Sequence, residues 1–366
     1  MNTNTQLVLE LCKFLSPDRE AILKLMGETP DWGYVLGHLL YNRMGSVAYK
    51  IICDLELQQI PSREFVNTLK SIAYCDKQKA DSMREAIELL SRPLAEVTFP
   101  YALLKGSYLI NLYATGLRTS NDIDILVNQR DLTGLEEILL RYGFEQGYIR
   151  QGQFVPLTRK EILSVRMNRG ETVPFIRQID LPLMKYIEID VNFSLDFKAK
   201  YETDAVDALM YNAKRRIHTQ NASLYTLEPR NFFIHLCTHL YKEATTYAWV
   251  ERGRDQSLYK YADIYMLILS WFDSEQANIE LTQRIIQYGL QKECYYAILN
   301  TMDIFKIEHK YMSKLLEEIR PKDTAFLKEI YHPSQKKTYC YNEPFSQWVF
   351  ACDRKDRLYE IANEKT

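Results

Sequence analysis

The chain lacks most of the features that would place it at once. Its seven cysteines (Cys12, Cys53, Cys75, Cys237, Cys294, Cys340 and Cys352) are odd in number and scattered. No Cys-x-x-Cys pair occurs, so a zinc ribbon is excluded and a disulfide framework is not expected. No apolar run nears the ~20 residues that a membrane span requires. Residues 1–12 carry neither a basic start nor the apolar core of a signal peptide. Charge of neither sign prevails, since 46 Lys and Arg stand against 48 Asp and Glu for a net charge of −2. With no global basic field, long nucleic-acid contacts are not expected, because those rely on Lys and Arg to neutralise phosphates. Internal repeats and low-complexity linkers are missing as well. What remains is a globular chain without a membrane segment, expected in the reducing cytoplasm. At 366 residues and 46% hydrophobic content it can bury a sizeable core and fill two or three domains.

Hydrophobic spacing divides the chain. Residues 1–95 form an N-terminal helical region: Trp32, Val35, Leu36, Leu39, Leu40 and Met44 keep a helical stripe, and Ala73 to Leu94 reads as a long helix stopped near Pro93. The period changes at Val97. Tyr101-Ala-Leu-Leu reads as a buried strand, Tyr108 to Thr115 as a helix ended by Gly116, and Asp122 to Val127 as a second strand. Leu132 to Tyr142 reads as a helix closed by Gly143. Residues 145–185 are polar and mixed and read as irregular strands or loops. Tyr186-Ile-Glu-Ile-Asp-Val-Asn-Phe then alternates cleanly. Residues 96–200 are therefore taken as a sheet-bearing core, and 201–366 as a C-terminal helical region. The latter includes helices over Asn231–Lys242, Leu258–Phe272 and Leu281–Leu299. No role is assigned to the charged tail from Ser334.

The chemistry is concentrated between Lys105 and Asn192. A strand sends residues i and i+2 to one face, so Asp122 and Asp124 point together while Ile123, Ile125 and Val127 point the other way. Adjacent carboxylates repel unless a cation sits between them. Oxygen-only ligands favour Mg²⁺ or Mn²⁺ over zinc. Glu188 and Asp190 share a face on the later strand. His235 and His239 stand at i and i+4, but no Glu follows His235, so the metalloprotease helix is absent. They are read as helix-packing residues.

Taken together, Leu-Leu-Lys105-Gly106-Ser107, then Arg118 ahead of Asp122-Ile-Asp124-Ile-Leu-Val, then Ile-Glu-Ile-Asp190-Val-Asn-Phe resemble the polymerase β-like nucleotidyltransferases. More narrowly they resemble the bacterial uncharacterised nucleotidyltransferase family, over residues 30–270. The resemblance implies an α+β fold, with a small mixed-sheet palm core flanked by N-terminal and C-terminal helical regions. It implies a Mg²⁺-dependent enzyme that moves a nucleoside monophosphate from an NTP to an acceptor hydroxyl and releases pyrophosphate. Asp122, Asp124 and Asp190 would be the metal ligands and catalytic carboxylates. Gly106 and Ser107 would approach the phosphates, Arg118 would bind phosphate or brace the loop before Asp122, and Lys242 would reach the β- and γ-phosphates. Many relatives carry His two residues after the third Asp, where this chain has Asn192. The departure keeps open a second reading, a catalytically silent nucleotide-binding regulatory or interaction module. The acceptor is expected to be a small molecule or a protein hydroxyl, although an RNA 3′ end also suits the chemistry.

Overall fold

The computed structural model describes residues 2–195, 205–211, 215–218 and 223–361. The expected boundary at residues 200 and 201 lies outside them. The chain forms two compact units: a helical unit made of Met1–Ile72 and Leu236–Thr366, and a sheet unit made of Ala73–His235.

The sheet unit is built on a mixed sheet. Its strands in chain order are β1 (Tyr101–Leu103), β2 (Ile123–Val127), β3 (Glu145–Arg150), β4 (Gln153–Pro156), β5 (Phe175–Leu181), β6 (Met184–Asn192), β7 (Arg215–His218) and β8 (Ser223–Thr226). They lie in the order β4-β3-β5-β6-β2-β1-β8-β7. The β2–β6 and β1–β8 pairs are parallel and the others antiparallel. The fold is thus α+β with a mixed sheet, as expected. The apolar, β-branched run Ile-Asp-Ile-Leu-Val suits a pleated, covered surface. Every residue of β2 is in fact buried, on both faces.

Local readings need correction at several places. The helix expected over 108–115 is instead the short helix Lys105–Leu109 followed by turns. The span 145–185 is ordered as β3, β4, the helix Arg159–Asn168 and β5. That helix begins in a capping box, in which Thr158 and Glu161 satisfy each other's backbone N–H groups. None of its residues is buried, so it shows no apolar stripe. Strands β7 and β8 were not anticipated. β8 joins the sheet beside β1, where the Thr226 hydroxyl donates to the Leu103 carbonyl at 2.6 Å.

The helical unit packs helices around an aromatic core. Helix Lys310–Ile319 buries Met312, Leu315 and Ile319, spaced along one face. The helix expected over 281–299 is two helices, Glu275–Gln287 and Gln291–Phe305. Gly289 separates them at φ +68, a conformation that side chains resist. The charged tail also folds. Strands β9 (Glu329–His332), β10 (Lys337–Cys340) and β11 (Tyr359–Ile361) form a three-stranded antiparallel sheet. Nearby in sequence, Tyr341 stacks on the fully buried Trp348 at 4.0 Å. Among the described residues no helix is long and apolar enough to cross a membrane.

Candidate active site

The two central strands of the sheet carry the carboxylates. In the parallel β2–β6 pair, Asp124 stands in register with Asp190, and Ile125 with Val191. Residues in register on parallel strands share a face, so Asp124, Asp190 and, two residues earlier, Asp122 and Glu188 lie on one side. The Asp190 carboxyl holds its proton well above the ordinary value of 3.8. Burial is the main cause, followed by the charges of Asp122, Asp124, Glu171 and Glu188. Glu188 is raised as well, by burial first and then by Asp122. Glu171 comes from the segment before β5, which bridges to Asn192 at the end of β6.

Three side chains fix the two carboxylates of the Asp-x-Asp pair. Lys105 Nζ lies 2.6 Å from Asp124 Oδ1, with the lysine side chain 18% exposed and the aspartate 4%. Asn192 Nδ2 donates to the same oxygen at 3.4 Å, and to the Asp190 carbonyl at 3.3 Å. Asn192 therefore braces the cluster. The Ser120 hydroxyl donates to Asp122 Oδ1 at 3.0 Å.

Gly106 makes that last bond possible. A Cβ added at Gly106 would fall 2.5 Å from the Ser120 Cβ and nearer still to its hydroxyl. The glycine permits Ser120 to pass, and Ser120 holds Asp122. This packing role was not legible in the Gly-Ser pair, which points to phosphate contact. Ser107 is fully buried, and its hydroxyl finds no hydrogen-bond partner among the described residues. The Arg118 guanidinium is buried and donates to the Thr119 carbonyl, inside the loop that leads to Asp122. Lys242 belongs to the helical unit, where its carbonyl accepts from the Thr246 hydroxyl. The structure thus gathers Asp122, Asp124, Asp190 and Gly106 in the sheet unit, and adds Lys105, Ser120 and Glu171, to which the motif reading gave no role.

Among the described residues no group of three or more His, Cys, Asp or Glu is placed so that it could hold a metal ion as it stands. The donor chemistry nevertheless suits a hard divalent cation. The donors are oxygens alone, and the carboxylates around Asp190 burden one another with charge that a cation relieves.

The family model described as "Uncharacterised nucleotidyltransferase" matches residues 28–306. No curated protein matches the chain. Among solved structures, the chain is similar to an antigenic nucleotidyltransferase-like protein from Paracoccidioides brasiliensis. The identity is 14% over 57% of this chain and 88% of that one, with a TM-score of 0.33.

Proposed function

The chain belongs to the uncharacterised nucleotidyltransferase family, and from that premise we propose that it transfers a nucleoside monophosphate from an NTP to an acceptor hydroxyl. Family membership supports nucleotidyl transfer in general. The reading of the site is carried by one observation: Asp124 and Asp190 in register on adjacent central strands, with Asp122 beside them.

In this reading Asp122, Asp124 and Asp190 would hold Mg²⁺ or Mn²⁺, which would supply charge neutralisation for an in-line displacement at phosphorus. Asp190 takes the proton of the acceptor hydroxyl. The acceptor oxygen forms a bond to the α-phosphorus, the bond from that phosphorus to the bridging oxygen breaks, and pyrophosphate leaves with the electron pair. Ser120 and Asn192 orient the carboxylates through their hydrogen bonds. The Arg118 contact with the Thr119 carbonyl favours a bracing role over phosphate binding. The Ser107 hydroxyl, without a partner among the described residues, would donate to a phosphate oxygen. Lys242 is assigned to the β- and γ-phosphates on the family resemblance alone.

The test is an NTP labelled on its α-phosphate, incubated with Mg²⁺ and candidate small-molecule and protein acceptors. Transfer of label with pyrophosphate release by the native chain, lost in Asp122→Ala, is the expected result. Binding of NTP without pyrophosphate release across all acceptors would favour a silent nucleotide-binding module.

A further inference from the structure

The proposed transfer gives Lys105 no part, yet its placement is specific. The residue adopts φ +46, in the left-handed region that side chains other than glycine avoid. Its ammonium lies 2.6 Å from Asp124 Oδ1, largely removed from water. That oxygen also accepts from Asn192, and its carboxylate stands in register with Asp190. The ammonium therefore contacts one carboxylate of the cluster directly. We propose that Lys105 is the resident counter-cation of the sheet unit: its ammonium holds Asp124 in position and yields that carboxylate to the divalent cation that accompanies the nucleotide. The inference rests on the transferase reading above and adds to it a positioning residue.

Competition sets the sign of the effect. Two cations at one carboxylate repel each other, so an incoming divalent ion must displace the ammonium. A lysine suits this task, because its charge is compact and its stem flexible. Removing a purely structural support loosens a metal site. Removing a competitor tightens it. Lys105→Met keeps the apolar stem and the same backbone demand, so it isolates the charge.

The experiment titrates Mn²⁺, without nucleotide, into the full-length native chain, Lys105→Met and Lys105→Arg, and records thermal unfolding of each with and without the ion. The Met variant is expected to bind Mn²⁺ about tenfold more tightly, a difference of about 1.4 kcal/mol. It is expected to melt lower than the native chain in chelator and to gain more from Mn²⁺. The Arg variant, which keeps the charge, should retain native affinity. Equal or weaker Mn²⁺ binding by the Met variant overturns the inference. Should that variant not fold in chelator, the native chain alone decides. Acetylation of Lys105, read by mass spectrometry, rises on adding Mn²⁺ if the ammonium is released, and unchanged labelling overturns the inference. If the native chain binds Mg²⁺·NTP and the Met variant shows no tightening, the role of Lys105 fails by itself. If neither chain binds Mn²⁺ or Mg²⁺·NTP, the transferase reading fails and Lys105 is a permanent ion pair.

Discussion

The two units treat buried charge in opposite ways. In the helical unit, charges are matched. Arg354 grips both oxygens of the fully buried Asp255, at 2.8–3.1 Å, and also donates to the Ala351 carbonyl. Lys260 meets Glu243 at 2.6 Å, each side chain about one-tenth exposed, and His239 stands 3.3 Å from the same carboxylate. In the sheet unit, Asp122, Asp124, Glu171, Glu188 and Asp190 crowd together. Among the described residues, Lys105 pairs with Asp124 and the half-exposed Arg169 lies 3.4 Å from Glu171. Matched charges hold an interior together. A cluster with surplus charge of one sign costs stability, and such clusters are where function is concentrated. On the proposed function, the difference would separate structural from chemical carboxylates without appeal to any motif.

The comparison can be broken or sharpened by substitution. The largest effect is expected at Asp122, where Asp122→Ala should lower transfer on the order of 10³-fold, about 4 kcal/mol of transition-state stabilisation, while the melting temperature barely moves. The label-transfer assay and a thermal scan check this together. Arg354→Met should do the reverse. By leaving Asp255 buried without its partner it should cost about 3 kcal/mol of stability, measured by denaturant unfolding. If Arg354→Met spared stability and silenced transfer, the division between the units would be wrong. Gly106→Ala should come next, at about 2 kcal/mol, because the added methyl drives Ser120 off Asp122. Its signature is a combined loss of stability and of metal-dependent nucleotide binding.

The smallest effect concerns pH. The Asp190 carboxyl is raised in the folded chain, so between the unfolded value near 3.8 and its raised value the folded state binds the extra proton. Stability of the metal-free protein should therefore fall as pH rises through that window. Asp190→Asn removes the cost. In chelator the variant should melt close to the native chain at pH about 4 and above it at pH about 8, with the gap widening in between. Divalent cation should reverse the order at the higher pH. Parallel melting curves at every pH would show that Asp190 carries no surplus charge.

Much of the strand framework of the candidate site was legible in the chain. Ile123 and Ile125 flanking Asp124, and Ile189 and Val191 flanking Asp190, announced strands with acidic faces, because apolar alternation and pleat share one period. Their parallel register was not legible, since pairing across some sixty residues leaves no local mark. The contact of Lys105 was not legible, because nothing in Leu-Leu-Lys-Gly-Ser marks the left-handed turn at this residue that aims it at Asp124. Ser120 carried no signal beyond nearness to Asp122. Thr158-x-x-Glu161 was a readable capping box, passed over because the helix it opens has no buried side. The small C-terminal sheet escaped notice because its strands run only three or four residues amid charge.

The central claim is that the surplus carboxylates of the sheet unit exist to bind a nucleotide with its divalent cation. Calorimetric titration of ATP, GTP, CTP and UTP, with Mg²⁺ and with chelator, into the native chain and the Asp122→Ala/Asp124→Ala double variant tests it most directly. The account predicts binding of at least one nucleotide that needs Mg²⁺ and is lost in the folded double variant. Binding that survives chelator or the double substitution, or no binding by the native chain with Mg²⁺ present, would contradict it.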